Sequence, residues 1–207
     1  MAEILAALSL RRARRAFDPR PVERNLEEAL WQAVSIAPSH GNSQPTRVVV
    51  ARSTKARSAL IAALSEGNCS WAPAAPLLAA VLSVPAHDFP QKNSDGTARE
   101  MWAFNAGIAV GNLLAQATAM GLTAHPMAGF DEPAARTALS IPNDVRVVVI
   151  MAIGYPGALE SLPADLQAKE NVPQERIPLA ALVTDDAWHE SQGIGAREWR
   201  KRAREGH

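Results

Sequence analysis

Four arginines stand within five positions in "RRARRAF" (11–17). A phosphate monoester carries close to two negative charges near neutral pH, and guanidinium forks match its oxygens. The cluster is therefore either a solvated basic helix end or an anion site. On a helix, Arg11 and Arg15 are four apart and share a face, while Arg12 and Arg14 point elsewhere. Arg14 is then left for solvent or a surface carboxylate. Four further places carry polar or small groups that suit a ligand. They are the loop "PSHGNSQP" (38–45), with Ser39, Asn42 and Gln44; "GN" (67–68) with Trp71; "HPMAGFD" (125–131), whose small Ala128 and Gly129 leave backbone N–H groups open to a flat molecule; and Arg176 in "PQERIP" (173–178). Taken singly, each is equally an ordinary turn, a core aromatic or an exposed loop.

Other chemistries lack their residues. There is no GxSxG elbow, no Walker loop and no GxGxxG after a strand. One cysteine, Cys69, forms no intrachain disulfide, and the five histidines show no ligand spacing, so no metal site is expected. Lys+Arg and Asp+Glu are both 21, a formal net charge of zero. Long polyanions select a basic surplus, so a small discrete anion fits better than nucleic acid. Residues 101–130 contain no Asp, Glu, Lys or Arg before Asp131, but Asn105, Asn112, Gln116 and Pro126 count against a membrane span. A buried central helix and a cytoplasmic protein are expected.

The elements that must position these residues follow from periodicity. Helices are expected over 3–15, 23–37, 53–65, 99–120 and 132–140, with a basic helix, "AREWRKRARE", at the end. Strands are expected at 47–51, 76–85 and 145–154, with helix a competitor for 76–85. Gly107 and Gly111, four apart, predict tight packing of another helix or strand. The polar segment 86–99 reads as a mobile loop. The fold class is α+β, a central mixed β-sheet surrounded by helices. The whole chain, 1–207, reads as one domain, and residues 158–207 form a Pro-interrupted extension expected to pack on a partner subunit.

In their order along the chain these segments resemble the flavin-dependent nitroreductase family. "RRARRAFDPRPV", "APSHGNSQPTRVVV", "NCSWAPAAPLLAAV", "NAGIAVGNLLAQATAMGLTAHPMAGFD", "VVVIMAIGYP" and "PQERIPLAALV" match its motifs from about residue 8 to 183. The resemblance implies an intertwined homodimer holding FMN, with NADH or NADPH as co-substrate and a small electron acceptor as partner. It implies that Arg11, Arg12, Ala13 and Arg15 hold the phosphate, ribityl chain and pyrimidine edge. Pro38, Ser39, His40, Asn42 and Gln44 reach a flavin bound mainly to the other subunit. Asn68 meets the ring edge, Pro126, Met127, Ala128 and Gly129 lie over the flavin near N5, and Arg176 is a late phosphate ligand. Trp71, Trp102 and Phe104 are the expected substrate contacts. No catalytic side chain is expected, because the flavin carries the chemistry. The implied activity is ping-pong hydride transfer from NAD(P)H to a nitroaromatic, quinone or enone. The alternative is a non-catalytic flavin or nucleotide sensor. Ala13, Trp71, Ala128 and Gln174 depart from one well-known subgroup, which bears on the acceptor.

Overall fold

The computed structural model describes residues 2–205. In chain order the elements are α1 (Ala6–Ser9), α2 (Arg24–Ser35), β1 (Thr46–Val50), α3 (Thr54–Ala62), α4 (Glu66–Cys69), β2 (Leu77–Ser83), β3 (Gln91–Lys92), β4 (Ala98–Arg99), α5 (Trp102–Ala119), β5 (Thr123–Met127), α6 (Glu132–Leu139), β6 (Arg146–Gly154), α7 (Ala164–Glu170), α8 (Leu179–Leu182) and α9 (Ala196–Glu205). They fall into two compact units, one up to Glu170 and one from Asn171 onward. That break comes later than the expected extension at Ala158, because Leu162 and Leu166 are buried in the first unit's core.

The main sheet has the order β1-β2-β6-β5. The α+β expectation holds. The sheet is antiparallel throughout rather than mixed, since β1–β2, β2–β6 and β5–β6 all pair antiparallel. The reason is topological. Val50 pairs with Ala79 and Met127 with Ile150, so the connections carrying α3 and α6 each leave and re-enter the sheet at the same end. One extra residue, Val148, sits between the Val81–Val149 and Leu82–Val147 pairs as a bulge.

Both faces of the sheet are covered, which explains why β2 and β6 are unbroken apolar runs without alternation. Leu78, Ala80, Leu82, Ile150 and Ala152 pack on one side with Leu60 of α3 and Ala135 of α6. Val81, Val149, Met151 and Ile153 pack on the other with Leu30 of α2 and Leu113 and Ala117 of α5. Helix signals set the boundaries. The Ser53 hydroxyl accepts from Ala56 N at 3.1 Å, and Asp131 accepts from Ala134 N at 2.7 Å, capping α3 and α6. Gly121 follows α5 at φ +73°, a left-handed position that glycine adopts without a side-chain penalty.

One expectation fails here, and another finds no partner within the described residues. Residues 10–15 are not helical, and α1 ends at Ser9. Gly107 and Gly111 are exposed. Among the described residues, nothing lies within 4 Å of where a Cβ on either would stand. Among the described residues, no helix is long and apolar enough to cross a membrane.

Candidate functional site

The arginine segment lies beside β5. Thr123 Oγ1 donates to Arg12 O at 3.2 Å, and the His125 ring nitrogen Nδ1 lies 3.0 Å from Arg14 O. Since a carbonyl only accepts, His125 Nδ1 carries the proton. Residues 11–15 lie in no helix, and their burial alternates with a period of two rather than 3.6. Arg11, Ala13 and Arg15 are half-buried on one side, and Arg12 and Arg14 are exposed on the other. Arg11 and Arg15 still share a side, as expected, but through strand-like alternation. Arg15 Nη1 donates to Glu170 Oε1 at 2.9 Å, while Arg12 donates to Ser9 O and Arg11 O.

The chain leaving β5 meets α4. Gly129 O accepts from Asn68 Nδ2 at 3.0 Å and from Ser65 N at 2.9 Å. A Cβ on Gly129 would lie 2.5 Å from Ser65 Oγ and 3.1 Å from Asn68 Nδ2, so any side chain here forces those two groups to shift. Pro126 is tolerated because β5 is an edge strand. Met127 is buried, and Ala128 is exposed at the strand end. The Trp71 expectation is corrected: its indole is buried at 3% exposure, stacked 6.2 Å from Phe17 and tilted against His125 at 4.5 Å. Trp71 supports the floor under β5 as a core residue. Burial holds the His125 pKa below the usual imidazole range, and nearby Arg15 pushes the same way, against the Arg14 carbonyl.

A second cluster forms around residues 38–44. His40 N donates to Asn105 Oδ1 at 2.9 Å, and Gln44 N donates to Ser39 Oγ at 2.9 Å. Gln44 Nε2 reaches Asn42 Oδ1 at 3.1 Å. Gly41, Asn42 and Gln44 have φ of 58°, 53° and 47°. Left-handed backbone at two non-glycine residues is held only where the surroundings enforce it, and such strain gathers at functional loops. Pro38, Ser39, Gln44, Thr46, Arg47 and Asn105 help line a groove of about 300 Å³ between α2, β1 and α5.

Segment 86–99 contains the β3–β4 hairpin. Phe104 is exposed. Trp102 is half-buried, with its indole N–H donating to Glu100 at 2.8 Å and Arg146 standing 5.0 Å over its ring. Arg176 belongs to the second unit, where it donates to Glu175 O and Gln174 Oε1 and helps line a cavity of about 400 Å³ with Trp199 and Arg200. Ser65, Asp88 and Glu170 join these clusters without a signal of their own in the sequence, and His125 stands at the head of the 125–131 segment. Asn105 was visible only as an amide out of place in a charge-free helix.

The donor set suits a phosphorylated flat cofactor. Half-buried Arg11 and Arg15 alternate with exposed Arg12 and Arg14 along the segment, and small residues and an amide stand at the neighbouring strand end. The chain matches the Nitroreductase family over residues 8–70 and 63–155. It is 29% identical over 197 residues to an NADH dehydrogenase of Thermus thermophilus, covering 84% of this chain and 91% of that one. A solved oxidoreductase containing FMN superposes with a TM-score of 0.79 at 30% identity, covering 91% of this chain and 94% of the other. The NADPH:FMN oxidoreductase of Vibrio harveyi, complexed with NAD+, shares the fold at a TM-score of 0.74 and 18% identity, covering 97% and 83%. The chain belongs to the nitroreductase family.

Proposed function

We propose that this protein is a cytoplasmic, homodimeric FMN-dependent oxidoreductase that carries hydride from NADH or NADPH to an electron-poor acceptor such as a nitroaromatic, quinone or enone. Family membership supports the flavin-dependent oxidoreductase class. The observation that carries the site reading is the arginine segment held alongside β5, next to the Gly129–Asn68 strand end.

When bound, FMN supplies reversible two-electron hydride transfer at its N5. The chain's residues bind and orient. Arg11 holds the phosphate, and Arg12, exposed on the other side of the segment, meets only its edge, with Arg176 as a further phosphate ligand. Arg15 provides positive charge at the pyrimidine edge. A guanidinium has five N–H donors, so the bond to Glu170 orients Arg15 without exhausting it. Ala13, Ala128 and Gly129 leave room for a flat ring, and Asn68, held by Gly129 O, meets its edge. Pro126 and Met127 form the strand end beneath that ring. Pro38, Ser39, His40, Asn42 and Gln44 approach the ring from the partner subunit. Trp102 and Phe104 flank the acceptor.

The test is direct. The purified protein should be yellow, or should turn yellow on adding FMN, and should bleach when NADH or NADPH is added without oxygen. A protein that takes up no FMN overturns the reading. Flavin that binds but is bleached by neither nucleotide overturns the enzymatic part and leaves a sensor.

A further inference from the structure

Asp88 and Asn105 form a buried polar relay behind the 38–44 loop. They are 9% and 1% exposed. Asp88 Oδ2 accepts from Met101 N at 2.7 Å, and Asp88 Oδ1 accepts from Asn105 Nδ2 at 3.1 Å. Asn105 Oδ1 in turn accepts from His40 N at 2.9 Å. Each partner fixes the next. With both carboxylate oxygens accepting, the Asn105 amide must present its NH2 to Asp88 and its carbonyl to His40. The bond from Met101 also closes the base of the β3–β4 hairpin, because Asp88 and Met101 bracket it. Gln91 Nε2, from that hairpin, lies 2.7 Å from His40 Nε2. His40 is thus gripped at its backbone by α5 and at its ring by the hairpin. It opens the turn whose next residues, Gly41 and Asn42, are left-handed.

We propose that Asp88 and Asn105 are positioning residues for the flavin ring, holding residues 39–44 in the strained shape that meets it. This rests on the assignment of that loop to the ring made above. A strained loop relaxes when its tether is cut, and an unpaired buried amide or carboxylate is costly. The relay therefore acts on ring binding and leaves the phosphate contacts alone.

The swap of the two side chains makes the test. In Asp88→Asn, two NH2 groups face each other unless Asn105 turns and offers NH2 to the His40 N–H. In Asn105→Asp, two carboxylates face each other. In the double variant, the new amide at 88 accepts from Met101 N and donates to the new carboxylate at 105, whose second oxygen accepts from His40 N. Every bond of the relay is restored with the charge moved. FMN and riboflavin, which lacks the phosphate, are titrated into the flavin-free full-length protein, and the visible absorption band of the bound flavin is recorded. Each single variant should weaken both flavins by the same factor, about tenfold, and shift the band. The double variant should regain most of the affinity and the band position. Arg11→Ala should weaken FMN alone.

Wild-type affinity in both single variants would overturn the proposal. So would a loss confined to FMN, a double variant as weak as the singles, or lowered melting temperatures with an unmoved absorption band. If the unaltered protein takes up neither flavin, the underlying site reading fails instead.

Discussion

At the scale of single residues, His125 links the arginine segment to the core. Its ring lies against Trp71, its Nδ1 meets the Arg14 carbonyl, and burial lowers its pKa with help from Arg15. The sign of the consequence follows. An unfolded chain takes up a proton on His125 below about 6.5, while the folded chain resists until a lower pH. The unfolded state therefore binds more protons in that window, and stability falls as pH drops through the unfolded value towards the folded one. Melting temperatures between about pH 8 and about pH 5 should decline for the wild type. In His125→Gln that part of the slope should disappear. An unchanged slope would show that other groups set the acid response. The same residue shows what composition hides. In the sequence, His125 is one of five histidines without ligand spacing, and its environment exists only once β5 and residues 11–15 lie side by side. Arg11 and Arg15 were legible as a pair, yet for a reason the structure replaces. Thr123 and His125 take the backbone carbonyls of the arginine segment, and that tertiary claim overrides a helix that would crowd like charges.

At the scale of elements, the strands with β-branched runs, the capped helices and the Gly121 stop were all readable, because each depends on local chemistry. The strand at 77–83 was ambiguous because a sheet covered on both faces removes the alternation that separates strand from helix. The strand at 123–127 was missed. Pro126 reads as a breaker, and only an edge position tolerates it. This edge strand delivers the candidate ring contacts, so its end should be sensitive. Gly129→Ala would drive a Cβ to 2.5 Å from Ser65 Oγ and 3.1 Å from Asn68 Nδ2. The backbone bond from Ser65 N to Gly129 O keeps the two backbones together, so the Ser65 hydroxyl and the Asn68 amide must do the moving. The expected cost is about 1–3 kcal/mol of stability, as for other overpacked sites. FMN affinity should fall with it through a displaced Asn68. Adding Ser65→Gly to Gly129→Ala should recover part of both losses, a coupling that a double-mutant cycle reads directly. Additive losses would mean that the clash with Ser65 is not what makes glycine necessary.

At the scale of the whole molecule, the glycines of α5 are informative because no described residue of this chain stands against them. Gly107 and Gly111 lie on an exposed face of the helix, and a Cβ on either meets open space. Glycine inside a helix costs roughly 1 kcal/mol relative to alanine. Two such positions on one face therefore weaken the isolated protomer and gain it no internal contact. The cost is offset if another backbone approaches that face, as the proposed homodimer requires, with the neighbouring exposed Phe104 inside the same contact. Gly107→Leu and Gly111→Leu separate the two demands. In a lone protomer a Cβ at either position meets open space and leucine improves helix propensity, so secondary structure should be kept. In a dimer packed through this face, leucine holds the backbones apart. Size-exclusion chromatography with light scattering should find the wild type at twice the chain mass and the double leucine variant shifted towards one chain. The variant should also lose flavin, because residues 38–44 of one protomer would no longer reach the ring held by the other. A variant that stays dimeric and yellow would place the subunit contact elsewhere. The cost of two glycines on this helix would then need another explanation.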